Sequence, residues 1–130
     1  MYEIIAKYND LKVKAIKLND ENFDLPDNIV SIDDKKLKNL FFFSYPNNPT
    51  GNHFNRKIIY YLLENKNNLV VVDEAYIFFS DKKSFLTELP KYENLIVLKT
   101  FSKIGLAGLR FGMLFSGVKL INEFKKIKLP

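Results

Sequence analysis

The sequence predicts an α/β fold, a mostly parallel sheet with helices on both faces, forming part of a larger domain. Three observations carry this expectation. Leu40-Phe41-Phe42-Phe43, Leu69-Val70-Val71-Val72 and Leu95-Ile96-Val97-Leu98 are continuous apolar runs of strand length. Strands apolar on both faces belong to sheets covered on both sides, usually parallel ones. Helical periodicity lies between and after these runs, and Asn48, Asp73 and Lys103 each stand just past the carboxyl end of an apolar run. Ligands of open α/β sheets bind beyond those strand ends.

In chain order, residues 2–8 read as a helix from the spacing of Ile4, Ile5 and Tyr8. Residues 12–18 alternate and read as a strand with one solvated face. Residues 19–34 are polar and interrupted by Pro26, hence a loop, with a short helix near residues 33–39. The strand at 40–44 is stopped by Pro46 and Pro49. Residues 55–66 form a helix capped by Asn55, with Ile58, Ile59, Leu62 and Leu63 facing the core. Strands follow at 69–72, 95–98 and 110–116. An amphipathic helix closes at 118–127, with Leu120, Ile121 and Phe124 on one face. So few helices leave much of the sheet to be covered from elsewhere. Residues 1–130 are therefore expected to be one partial domain, truncated at both ends.

Composition narrows the function classes. The chain has 130 residues, 47% apolar and 15% aromatic, in the range of a single globular domain. It has no cysteine, which excludes disulfides and thiolate chemistry, and its single histidine, His53, excludes a histidine-rich metal site. The net charge of +5 comes from scattered lysines, densest at Lys125, Lys126 and Lys128, with only Arg56 and Arg110 as arginines. That pattern is a solvated face, not the clustered stripe of a nucleic-acid binder. No apolar run approaches the roughly 20 residues that span a bilayer, and the N-terminus carries no basic-then-apolar leader. A cytoplasmic protein is the expectation.

The most informative stretch runs from Lys99 to Arg110 and reads Lys-Thr-Phe-Ser-Lys-Ile-Gly-Leu-Ala-Gly-Leu-Arg. A lysine that attacks a carbonyl must be held in place and partly stripped of water. The neighbouring hydroxyls and arginine are the groups that hold a phosphate dianion. Together they read as an anchor for a phosphate-bearing aldehyde cofactor, pyridoxal 5'-phosphate. Asp73 ends an apolar strand, where a buried carboxylate needs a partner. That partner is either a cofactor ring nitrogen or the turn that Asp73 caps. Asn48 by itself reads as a turn-former, Tyr76 as a half-buried aromatic and His53 as a surface loop residue. Glu74 and Tyr2 receive no role.

Asn47-Asn48-Pro49-Thr50-Gly51, then Asp73-Glu74-Ala75-Tyr76, then Ser102-Lys103 with the trailing Arg110 occur in this order. The ordered set resembles the fold-type I aminotransferases, and within them most closely the histidinol-phosphate aminotransferases. The three motifs span about half the chain. The resemblance implies that Lys103 joins the cofactor aldehyde and shuttles the substrate proton. It implies that Asp73 faces the pyridine nitrogen, and that Asn48 and Tyr76 meet the ring 3'-oxygen, with the Asn48–Pro49 bond cis. Thr100, Ser102 and Arg110 would bind the phosphate. Lys103 and Arg110 are seven residues apart, a departure from the family's commoner eight.

The activity so implied is transamination between histidinol phosphate and 2-oxoglutarate, in a homodimer. Three family parts fall outside this chain: an upstream phosphate loop, an upstream ring-stacking aromatic, and a downstream small domain whose arginine grips the substrate carboxylate. The family continues past Lys128-Leu129-Pro130. The chain alone is expected to be inactive. Decarboxylation of threonine phosphate, and a non-catalytic remnant serving as an interaction module, are the alternatives.

Overall fold

The computed structural model describes residues 2–127; the closing Lys128-Leu129-Pro130 lies outside them. Helix α1 (Tyr2–Tyr8) leads through an irregular segment to strand β1 (Asn39–Ser44). Helix α2 (Arg56–Glu64) then returns the chain to β2 (Asn68–Asp73). Strand β3 (Leu95–Thr100), strand β4 (Gly112–Ser116) and helix α3 (Val118–Ile127) follow. The four strands form one sheet in the order β1-β2-β3-β4. β1, β2 and β3 run parallel, while β4 joins β3 antiparallel.

The long apolar runs become the parallel strands because both of their faces meet other groups. Phe41 and Phe43 of β1, Val70 and Val72 of β2, and Leu95 and Val97 of β3 are buried on the face that α2 covers with Ile59, Leu62 and Leu63. Each fully buried aliphatic side chain contributes about 1.5–3 kcal/mol of transfer free energy. Ile58 is only partly buried at the edge of this core. The cap on α2 is the expected one, with the Asn55 side chain accepting from the Lys57 N–H. The helix stops at Glu64, two residues short of expectation. There Asn65 takes an extended backbone conformation, accepting from Asn67 N–H and donating its side-chain amide to Asp33.

The other face is covered unevenly. Val71 and Ile96 are buried at its centre, whereas Leu40 is 47%, Phe42 41% and Leu114 38% exposed. Tyr2 of α1 stacks on Phe42, and Leu120 of α3 borders a cleft with Leu40 and Leu69. No helix of the described residues is long and apolar enough to cross a membrane.

Three local expectations are corrected. Residues 12–18 form no strand; the segment is irregular and mostly exposed, although Ile16 and Leu18 reach the core. Alternation records which side chains meet the core, and not whether the backbone finds a neighbouring strand to pair with. The short helix lies earlier than residues 33–39, as a 3₁₀ turn at Asp27–Ile32 after Pro26, whose φ of −68° suits helix entry. Asp33 cannot extend it, because its carboxylate is buried and accepts from the side-chain amides of Asn65 and Asn68 at 2.9 Å each. Finally, β4 begins at Gly112 and not at residue 110: Arg110 is left-handed, with φ 49°, and its N–H closes a turn onto the Ala107 carbonyl.

Candidate active site

Because β1, β2 and β3 are parallel, their carboxyl ends lie on one edge of the sheet, and the three motifs emerge there. The register pairs Ser44 with Asp73, and the Tyr45 N–H donates to the Asp73 carbonyl at 2.8 Å. The turn after β1 is tied by Asn47 N–H to the Asn52 carbonyl (2.8 Å) and by Gly51 N–H to the Asn47 carbonyl (2.7 Å). The Asn47 side chain donates to Thr50 Oγ1 at 2.7 Å, so Asn47 serves the turn. Gly51 has φ 74°, which a side chain would strain. Asn48–Pro49 is cis, as the resemblance implies, and so is Tyr45–Pro46, which was not anticipated.

Asp73 is half-buried. Its Oδ1 accepts from the Ala75 N–H at 3.0 Å, the turn-capping bond read as one alternative. Its Oδ2 remains available and accepts from the Tyr2 hydroxyl. Burial, reinforced by the bond to the Asp73 carboxylate and by its charge, pushes the Tyr2 phenol well above the ordinary tyrosine value. Tyr2 is thus brought into the site without a role having been assigned to it. The family resemblance puts Tyr2 where tyrosines line the active site, but its partner is not legible in the local sequence, because the pairing joins residues 71 positions apart.

Asn48 and Tyr76, both expected to face the ring oxygen of the cofactor, lie side by side. The Asn48 side-chain amide donates to the Tyr76 hydroxyl at 3.3 Å. Lys103, on a 3₁₀ turn at Ser102–Ile104 directly after β3, holds its Nζ 5.2 Å from the centroid of the Tyr76 ring. An ammonium over a ring face is attracted by the ring quadrupole. Beside this group lies a cleft of about 280 Å³ bordered by Asn48, Gly51, His53, Tyr76 and Phe79.

Thr100 and Ser102 also meet. Their hydroxyls are 3.0 Å apart, the Ser102 N–H donates to Thr100 Oγ1 at 3.1 Å, and Thr100 donates to the Phe111 carbonyl at 3.2 Å. That last bond, with Phe101 stacked on Phe111 at 5.6 Å, closes the base of the 101–111 loop. Arg110 leaves the base of this loop exposed, and its guanidinium makes no hydrogen bond or ion pair with the described residues. The loop therefore returns the Arg110 backbone toward Thr100, while the side chain stands apart.

His53 lies in a loop, as expected, but is held more closely than a free surface residue. It is half-buried, with Nε2 2.6 Å from Ser80 Oγ and its ring edge-on to Tyr45. Burial lowers its pKa below the ordinary value, with Asp81 opposing and Lys82 adding to the shift.

Glu74, left without a role, is the most buried charge of the region. It is 0% exposed, accepts from Ser84 Oγ (2.5 Å) and Phe85 N–H (2.6 Å), and lies 3.3 Å from Lys99 Nζ. A signal was present: opposite charges, each within two residues of the end of an apolar run.

The donors present fit a phosphorylated pyridine aldehyde. At one sheet edge stand a carboxylate with an available oxygen, an amide–phenol pair, an amine and two adjacent hydroxyls.

The sequence profile of aminotransferase class I and II matches residues 1–130. The histidinol-phosphate aminotransferase of Parabacteroides distasonis is 45% identical over the whole chain, which covers 38% of that protein. That of Vesicomyosocius okutanii is 42% identical, again over the whole chain and 36% of the relative. The crystal structure of the histidinol-phosphate aminotransferase from Clostridium acetobutylicum superimposes on 99% of this chain and 40% of its own, with a TM-score of 0.82 at 29% identity. The chain thus spans little more than a third of the length of these relatives.

Proposed function

The chain belongs to the class I and II aminotransferases, and from that premise we propose that it supplies the cofactor-binding part of a pyridoxal 5'-phosphate enzyme transferring an amino group between histidinol phosphate and 2-oxoglutarate. In this reading residues 1–130 are one partial large domain, which is inactive alone. The observation that carries it is the convergence of Asp73, the Asn48–Tyr76 pair and Lys103 at the carboxyl ends of three parallel strands. Relatives 39–45% identical across the whole chain, all named histidinol-phosphate aminotransferases, support the choice of amino donor.

When bound, pyridoxal phosphate supplies an electron sink that lets an amino donor lose its α-proton. The protein's part is to bind, orient and move protons. Asp73 would present its carboxylate to the ring nitrogen, while Asn48 and Tyr76 would hold the ring oxygen. Thr100 and Ser102 offer two hydroxyls to the phosphate, and Arg110 adds a planar fork suited to paired phosphate bonds. Lys103 would supply the amine that joins the aldehyde and, once released, would carry the proton at Nζ between the substrate carbon and the cofactor. A homodimer in the cytoplasm completes the reading by family resemblance.

The test is an assay of a full-length enzyme carrying this segment, with histidinol phosphate, aromatic amino acids and threonine phosphate offered in turn. Fastest amino transfer from histidinol phosphate is expected. Greater activity on another donor, or carbon dioxide release from threonine phosphate, would overturn the assignment.

A further inference from the structure

Tyr2 has no part in the reading above, yet its hydroxyl donates to the one Asp73 oxygen that the local turn leaves available. Its ring is held independently, stacked on Phe42 with centroids 4.7 Å and planes 24° apart. Phe42 sits on β1 beside Val71 of β2, two residues before Asp73, so the support and the carboxylate belong to the same rigid strand pair. Asp73 is thus gripped at both oxygens, by the Ala75 N–H at one and by a sheet-anchored phenol at the other. A carboxylate oxygen carries two lone pairs. Oδ2 can therefore accept from Tyr2 and still face a second donor.

We infer that Tyr2 is a positioning residue that fixes the rotation of the Asp73 carboxylate, so that its remaining lone pair is aimed at the ring nitrogen of the cofactor. This rests on the role proposed for Asp73. The competing explanation is that Tyr2 merely ties α1 to the sheet, since α1 buries none of its own residues.

The experiment uses a full-length enzyme carrying this segment and pyridoxal phosphate labelled with ¹⁵N in the ring. Tyr2→Phe keeps the ring on Phe42 and removes only the hydroxyl. It is expected to move the ring-nitrogen resonance and to weaken cofactor binding about tenfold, the scale of one hydrogen bond to a charged group. kcat should fall while KM for the amino donor holds. In an Asp73→Ala background, which has no carboxylate to orient, Tyr2→Phe should change neither resonance nor affinity further. Equal losses in both backgrounds would overturn the inference, as would an unmoved resonance in Tyr2→Phe. A drop in melting temperature shared by Tyr2→Phe and Tyr2→Leu, with the resonance unmoved, would mark a purely structural tie and overturn it too. If Asp73→Ala itself leaves the resonance unmoved, the reading of Asp73 fails first, and that outcome is distinct from the others.

Discussion

Glu74, one residue past the end of β2, stands level with Lys99 of β3, their charged ends 3.3 Å apart, with Glu74 fully buried and Lys99 13% exposed. The register that sets Val70 beside Leu95 and Asp73 beside Leu98 carries each chain one residue further to this pair, and the Glu74 N–H donates to the Leu98 carbonyl at 2.8 Å. The pair locks the ends of β2 and β3 where the Asp73 and Lys103 segments begin.

Removing one partner leaves the other charge buried without compensation. Lys99→Met in a full-length enzyme should therefore destabilise it by about 3–5 kcal/mol, the usual cost of breaking a buried pair. Denaturant unfolding measures this directly. A loss below about 0.5 kcal/mol would mean that the pair is effectively solvated.

Lys103→Ala in the full-length enzyme should abolish the borohydride-reducible adduct with pyridoxal phosphate, since Lys103 is the amine proposed to join the aldehyde. Mass spectrometry of the reduced protein is the check. A residual adduct on the same peptide would reassign the lysine, with Lys99 the first alternative to examine.

Asp73→Asn should reduce turnover on the order of a hundredfold, the scale of losing one preorganised electrostatic partner, with a much smaller effect on cofactor affinity. The substitution keeps the shape and one acceptor oxygen for the Ala75 N–H, while the charge is lost and the amide nitrogen at the other position makes the Tyr2 hydroxyl an acceptor instead of a donor. Near-normal turnover would remove Asp73 from its proposed role.

His53 gives a pH dependence of defined sign. Burial holds its folded pKa below 6.5, so the folded state favours the neutral ring. The associated stability is present above pH 6.5 and is lost as the pH falls through the folded value. The melting temperature of the wild type should drop more between pH 7 and pH 5 than that of His53→Gln. Parallel curves for the two proteins would contradict this.

The 130-residue chain on its own exposes Leu40, Phe42 and Leu114 on one sheet face. It should bind an apolar dye and self-associate, and Phe42→Lys with Leu114→Lys should reduce both. A monodisperse, dye-silent wild-type chain in sedimentation would refute the prediction.

Much of the architecture was legible because it rests on local chemistry. The apolar runs at 40–43, 69–72 and 95–98 became β1, β2 and β3, and the amphipathic stretches became α2 and α3 within two residues. The Asn55 cap and the turn at Asn47–Gly51 follow from residues adjacent in sequence. The alternating segment at 12–18 misled because a strand needs a neighbour, which periodicity does not report. Likewise, the left-handed turn at Arg110 shortened β4.

By itself, the sequence determined the order of the four sheet strands with α2 and α3, the core-facing residues of α2 and the identities of the groups gathered at the strand ends, because propensity, periodicity and side-chain chemistry act within a few residues. Only the tertiary structure decided the partners of those groups: Tyr2 on Asp73, Lys99 on Glu74, His53 on Ser80. Such pairings join positions 25 to 71 residues apart. They depend on strand register and on the path of the chain over the sheet, which are set by burial of the whole core and not by any one stretch of it.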